Sequence, residues 1–94
     1  IVAVYLEDAP RLIAQLERAA VGNDPIALRV AAHTLKSSSA NVGATTLADA
    51  ARDLETGARD GTLTKPATAV ARIVGEFAQV RAALQAQLAG SGPG

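Results

Sequence analysis

His33 and Lys36 are the residues of this chain whose types and spacing could support chemistry. His33 is the only histidine and lies in the stretch AAHTLKSSSANVGA, at positions 31–44. Lys36 follows three positions later, so on a helix the two side chains are neighbours one turn apart. An imidazole keeps one nitrogen free as a nucleophile near neutral pH. The pair would suit transfer of an anionic group such as phosphoryl to the histidine, with the lysine neutralising its charge.

Three serines follow Lys36 and raise the alternative of serine catalysis. Such catalysis needs a serine beside a positioned base, together with donors for an oxyanion. On a helical projection Ser38 and Ser39 turn toward the core side, and Ser37 has no neighbouring base except His33. We therefore interpret the serines as residues that permit close helix packing.

The same projection places His33 away from the core side of its helix. Leu28, Leu35 and Val42 cluster on the core side, and His33 lies roughly opposite Leu35. We expect the imidazole to be at least partly exposed, inside a mixed patch on which another protein could dock. The residues of this patch are Ile26, Arg29, Val30, Ser37 and Ala40.

Apolar residues recur at helical spacing in four segments, which cover residues 1–21, 25–42, 45–59 and 66–88. Pro10 interrupts the first segment, where it either kinks a helix or follows a new N-cap at Asp8. The predicted apolar stripe of the last segment consists of Val70, Ile73, Val74, Phe77, Val80, Leu84 and Leu88.

The sequence GNDP, at positions 22–25, predicts a helix end followed at once by a new helix. Gly22 or Asn23 can adopt the left-handed conformation that ends a helix. Asp24 can cap the next helix, with Pro25 in its first position. Gly43 predicts the end of that second helix in the same way.

The composition favours a small all-α domain. The chain has 94 residues, of which 49% are hydrophobic and only 2% aromatic, whereas strands favour aromatic and β-branched residues. Four amphipathic segments with short connections predict an antiparallel up-and-down four-helix bundle over residues 1–89. Residues 90–94 are predicted to form a flexible Gly-rich tail.

Charge and residue usage argue against several classes of function. Nine basic and nine acidic residues give a net charge of zero, which argues against nucleic-acid binding. The absence of cysteine and the single histidine argue against a metal site. No apolar run is long enough to cross a bilayer, so we expect no direct membrane contact. Because the chain begins with Ile1, we expect it to be a piece of a longer protein.

The stretch AAHTLKSSSANVGATTLADAARDLE, at positions 31–55, resembles the signature of histidine-containing phosphotransfer (HPt) domains of multistep phosphorelays. The family pattern is approximately A-H-x-L-K-G-[SA]-[SA]-x-x-[LV]-G, followed by a leucine and then by L-E. EDAP and GND, at 7–10 and 22–24, match weaker family features. Ser37 departs from the pattern, because the family usually has glycine there. The matching residues are Ala32, His33, Leu35, Lys36, Ser38, Ser39, Val42, Gly43, Leu47, Leu54 and Glu55.

The resemblance implies a four-helix bundle that acts as a phosphocarrier and not as an independent enzyme. By this resemblance, His33 accepts a phosphoryl group at Nε2 from a receiver-domain aspartyl phosphate and passes it to another receiver aspartate. Lys36 would stabilise the phosphoryl oxygens. Glu55 would contact Nδ1 of the imidazole and fix its tautomer. The receiver would supply Mg²⁺, and the domain would need no cofactor of its own.

The resemblance also sets expectations about context. We expect a cytoplasmic monomer, which is either a separate protein or the C-terminal part of a hybrid histidine kinase. Two alternatives belong to other classes. A sensor-kinase dimerisation domain would normally have an acid and a proline where this chain has Thr34 and Ser38. A bundle that binds receivers without phosphotransfer would not require His33, Lys36 and Glu55.

Overall fold

The computed structural model describes residues 1–90, which form four α-helices joined by short loops. The helices are α1 (Val2–Val21), α2 (Pro25–Asn41), α3 (Thr45–Asp60) and α4 (Pro66–Gly90). Residues 1–90 contain no strand, so the all-α prediction is confirmed. Gly90 belongs to α4 and not to the predicted tail, whose other residues, 91–94, lie outside the described part of the chain.

The junction between α1 and α2 follows from local sequence. The Asp24 carboxylate accepts a hydrogen bond from the Ala27 backbone N–H at 3.1 Å, and Pro25 occupies the first helical position, as predicted. Asn23 adopts the left-handed conformation, with φ of 51°, whereas Gly22 stays right-handed with φ of −79°. The asparagine therefore makes the turn that reverses the chain.

Pro10 lies inside α1, which runs without interruption from Val2 to Val21. Asp8 therefore does not cap a new helix, and its carboxylate lies instead 4.0 Å from the Arg11 guanidinium. The pyrrolidine ring is on the exposed side of α1, where a lost backbone hydrogen bond is compensated by water.

Each helix packs against two others, in the order α1, α2, α3, α4 and back to α1. The start of α1 meets the end of α2, where Tyr5 and Ser39 are hydrogen-bonded. The core is built mainly from leucine and alanine, and its fully buried large side chains include Leu16, Leu28, Leu35, Leu47, Leu54 and Ile73. Alanine in the helix contacts lets the backbones approach closely, which suits a chain with few aromatic residues.

The predicted apolar stripe of α4 was too wide. Val74 is 40% exposed and Leu88 is 49% exposed, whereas Val70, Ile73 and Phe77 are buried. Among the described helices, only α1 and α3 pack against α4, and the exposed Val74 lies at the edge of the surface that they cover. Leu88 lies one turn beyond Leu84, the last buried residue of the helix. No helix within residues 1–90 combines the length and apolarity required to cross a membrane.

Candidate functional site

The His33 side chain projects from the middle of α2 and is 60% exposed. Its Nδ1 atom lies 2.7 Å from Oε2 of Glu55, which belongs to α3. A single residue of the neighbouring helix therefore holds one nitrogen of the ring, while most of the imidazole stays accessible.

Glu55 also binds Lys36. The Lys36 Nζ atom donates to Oε1 of Glu55 at 2.7 Å, so one carboxylate bridges the imidazole and the ammonium. Exposure falls inward through this group, from 60% for His33 to 30% for Lys36 and 15% for Glu55. We call these three residues the His33–Glu55–Lys36 network.

Packing of α2 against α3 brings the network together. Leu35, which lies between His33 and Lys36 in sequence, is fully buried, and Leu54, directly before Glu55, is 1% exposed. Both leucines belong to the same core cluster. Burial of these leucines fixes how the two helices face each other, and the polar side chains beside them meet at the edge of that contact.

The electrostatics of the network keep Glu55 ionised. The hydrogen bond from Lys36 is the largest influence and lowers the pKa of Glu55 below its usual value. Partial burial opposes this effect, and the hydrogen bond with His33 adds to it. Glu55 is therefore a carboxylate near neutral pH.

An ionised Glu55 determines the tautomer of His33. A carboxylate accepts hydrogen bonds only, so in the neutral imidazole Nδ1 carries the proton and donates it to Oε2. The lone pair then resides on Nε2. The arrangement produces a nucleophilic nitrogen on an exposed ring, with an ammonium held one helical turn away.

The three serines after Lys36 have different environments. Ser39 is fully buried, and its hydroxyl is 2.9 Å from the Tyr5 hydroxyl of α1. The partly buried Ser38 donates to the Leu35 carbonyl oxygen at 3.2 Å. Ser37 is exposed. Burial of the Tyr5 hydroxyl raises its pKa, so this group stays protonated. Two of the serines are therefore engaged inside the bundle.

The residues predicted to receive a partner lie together on the exposed side of α2. Ile26 and Val30 are 68% and 58% exposed. Arg29, Ser37 and Ala40 are exposed as well. The side of α2 that carries His33 thus presents apolar, small and positively charged surface along the helix.

Two exposed apolar residues at the start of the chain were not predicted from the sequence. Ile1 is 89% exposed and Val4 is 57% exposed. They border a shallow cavity of about 260 Å³ between the start of α1 and the end of α2, which Ser38 and Asn41 also line. Val4 lies about 100° around α1 from the buried Tyr5, and this position could have indicated an unburied valine.

The described residues, 1–90, contain no group of three or more histidine, cysteine or acidic side chains that could hold a metal ion. Glu55, the acid of the network, has an imidazole and an ammonium as its partners, and these partners do not suit a cation site.

The family model described as Hpt domain matches residues 1–89, which include all three members of the network. Neither a curated protein nor a solved structure shows significant similarity to the chain.

Proposed function

The chain belongs to the Hpt domain family, and we propose that His33 takes a phosphoryl group from a receiver-domain aspartyl phosphate and passes it to the aspartate of another receiver. Members of this family are phosphocarriers of two-component signalling and not enzymes, and they interact with receiver domains.

The observation that carries the proposal is the exposed His33 ring with Nδ1 held by Glu55. The Nε2 lone pair attacks phosphorus as the bond between phosphorus and the aspartate oxygen breaks, and the aspartate leaves as a carboxylate. The proton stays on Nδ1, where Glu55 balances the positive charge of the phosphorylated ring. Transfer to the second receiver is the same step in reverse.

Lys36 would stabilise the phosphoryl group during both transfers. The transition state is loose and spreads negative charge over the phosphoryl oxygens, so positioning and charge neutralisation dominate the rate. An ammonium one helical turn from the imidazole is well placed to supply that charge. The receiver would contribute its aspartate and Mg²⁺, and this domain would bring no cofactor.

The receiver would dock on the exposed side of α2. Ile26, Val30 and Ala40 offer apolar contact, Arg29 adds a positive charge, and Ser37 contributes a small polar side chain. Ile1 and Val4 add exposed apolar surface at the start of α1, where they border a cavity together with Ser38 and Asn41 of α2. Interfaces of short-lived complexes combine such an apolar centre with a polar rim.

We also infer an antiparallel up-and-down arrangement of the bundle. Tyr5, near the start of α1, is hydrogen-bonded to Ser39, near the end of α2, which supports it. Leu28, near the start of α2, and Ala58, near the end of α3, line the same cavity. We expect the domain to act as a cytoplasmic monomer, either alone or as the C-terminal part of a hybrid histidine kinase.

The proposal is tested by incubating the chain with a receiver phosphorylated with labelled phosphate. We expect label on the wild-type chain and none on His33→Gln, because glutamine lacks a nucleophilic ring nitrogen. Circular dichroism and thermal unfolding should show that the variant is folded, since the ring is exposed.

Two results would contradict the proposal. Full labelling of His33→Gln would place the phosphoryl group elsewhere. Tight receiver binding by a wild-type chain that never acquires label would instead identify a binding bundle without phosphotransfer. Nitrogen-15 NMR of the labelled ring distinguishes phosphorylation at Nε2 from phosphorylation at Nδ1.

A further inference from the structure

Lys36 is not a free cation in the unphosphorylated structure. Its ammonium is paired with Glu55 at 2.7 Å, the same distance that separates Glu55 from His33. A lysine that serves only the phosphoryl group would have no need of this acidic partner. The pairing therefore means that an incoming phosphoryl group meets a lysine that is already engaged.

We propose that Glu55 competes with the phosphoryl group for Lys36, so that the ammonium changes partner each time His33 is phosphorylated. This inference rests on the proposed function and adds a second task to Glu55, beyond orientation of the imidazole. In this second task Glu55 is a positioning residue, because it acts on the phosphoryl group through Lys36.

The two groups that would compete for the ammonium belong to different nitrogens of the imidazole. Glu55 Oε2 accepts a hydrogen bond from Nδ1, whereas the phosphoryl group would be on Nε2, across the ring. Lys36 has a long flexible side chain that is 30% exposed, and Glu55 is only 15% exposed beside buried Leu54. The lysine is thus the mobile member of the pair, and the carboxylate is the fixed one.

The surrounding charges leave Glu55 as the competitor. Other acids of α3 are paired with arginines: Asp49 with Arg52 at 3.1 Å, and Asp53 with Arg72 at 3.4 Å. Within residues 1–90, Glu55 is the acid within ion-pair distance of Lys36. Neutralising it should therefore release the ammonium, whereas neutralising Asp53 should not.

Competition has a consequence for a carrier. The free energy lost when the Lys36–Glu55 pair breaks offsets part of the free energy gained when Lys36 binds the phosphoryl group. The phosphorylated state is therefore less stable than it would be if Lys36 had no partner beforehand. A phosphoryl group that is not held too strongly can be passed on. The Lys36–Glu55 pair would therefore keep transfer to the next receiver readily reversible.

A double-mutant cycle tests this inference. The equilibrium ratio of phosphorylated chain to phosphorylated receiver is measured for wild type, Lys36→Ala, Glu55→Gln and the double variant. Glutamine keeps an oxygen that can accept from Nδ1 but cannot form the ion pair. We expect Lys36→Ala to lower the ratio by about two- to fivefold more in the Glu55→Gln background, which is the size of a partly exposed ion pair.

Asp53→Asn is the matched control, since it removes a charge from α3 without touching Lys36. In that background the effect of Lys36→Ala should equal its effect in wild type. An equal or smaller effect of Lys36→Ala in the Glu55→Gln background would overturn the competition while leaving phosphotransfer established. If the wild-type chain accepts no phosphoryl group at all, the proposed function itself fails, and the competition fails with it.

Discussion

Helix α2 makes two polar contacts with its neighbours. On its buried side, the Ser39 hydroxyl lies 2.9 Å from the Tyr5 hydroxyl of α1. On its exposed side, His33 and Lys36 are each hydrogen-bonded to Glu55 of α3 at 2.7 Å. The first contact is sealed from water, with Tyr5 only 3% exposed. The second contact lies at the solvent-exposed edge between two helices. A buried polar group that loses its partner has no replacement, whereas an exposed one can exchange its partner for water or for a ligand.

The Tyr5–Ser39 contact is also surrounded by more tightly packed side chains. The Tyr5 ring packs edge-on against Phe77 of α4, with ring centroids 6.1 Å apart, and the Arg81 guanidinium lies 5.7 Å from the Phe77 centroid. Tyr5 of α1 therefore contacts both α2, through Ser39, and α4, through Phe77. The hydrogen bonds of the His33–Glu55–Lys36 network join α2 to α3 alone within residues 1–90. We infer that the Tyr5–Ser39 contact stabilises the fold, whereas the His33–Glu55–Lys36 network is available for a reaction with a ligand.

Tyr5→Phe should break the first contact and leave the second intact. The substitution leaves the Ser39 hydroxyl buried without its partner, so we expect the free energy of unfolding to fall by about 1–3 kcal/mol. Phosphotransfer to His33 should proceed at the wild-type rate once the variant is folded. Chemical denaturation and a labelling time course measure the two quantities.

The double variant Tyr5→Phe/Ser39→Ala controls for the origin of that loss. Because alanine removes the orphaned hydroxyl, the double variant should lose less stability than the sum of the two single variants. Additive losses would mean that the hydrogen bond is not what couples the two residues. A large change in the phosphotransfer rate of Tyr5→Phe would show that the Tyr5–Ser39 contact affects phosphotransfer as well as stability.

Local sequence was sufficient to predict much of this fold. Asp24 and Pro25 predict the start of α2, because an N-cap and a first-turn proline act only through neighbouring residues. His33 was placed opposite Leu35 for a similar reason, since helical periodicity fixes angles within one helix. The buried leucine and the exposed imidazole both follow from that angle.

What the sequence could not provide was the pairing between helices. Glu55 is 22 positions from His33 and on another helix, so only the family resemblance indicated it. The ion pair between Glu55 and Lys36 was not predicted, because periodicity does not tell which residues of α2 and α3 lie side by side. Periodicity alone predicts a buried Val74 for the same reason, because the width of the buried surface of α4 depends on how α1 and α3 pack against it.

Ser37→Gly examines the exposed side at the position where the chain departs from the family pattern. Ser37 lies one turn after His33 on the surface proposed to receive the partner. Removal of its side chain should let a receiver come closer, so we expect faster transfer at low receiver concentration. Stopped-flow or rapid-quench labelling over a series of receiver concentrations measures this rate.

Ser37→Ala separates the effect of bulk from that of the hydroxyl. The glycine variant should be less stable than the alanine variant by about 0.5–1 kcal/mol, because glycine weakens a helix interior. If the hydroxyl donated to the phosphoryl group, both variants would transfer more slowly than wild type, and the crowding interpretation would be wrong.

The pH dependence of stability gives the smallest predicted effect and compares the two sides directly. The Lys36 hydrogen bond lowers the pKa of folded Glu55. Its stabilising contribution is therefore present above the pKa of unfolded glutamate, about 4.3, and is lost as the pH falls through the lower folded pKa. Burial raises the pKa of Tyr5, so its contribution is present below the unfolded tyrosine pKa, about 10, and is lost as the pH rises through the folded pKa. The difference in the free energy of unfolding between wild type and Glu55→Gln should thus become smaller at acid pH only. The difference between wild type and Tyr5→Phe should become smaller at alkaline pH only. Urea unfolding at a series of pH values measures both differences, and an acid-side change in the Tyr5→Phe difference would show that the two sides of α2 are coupled.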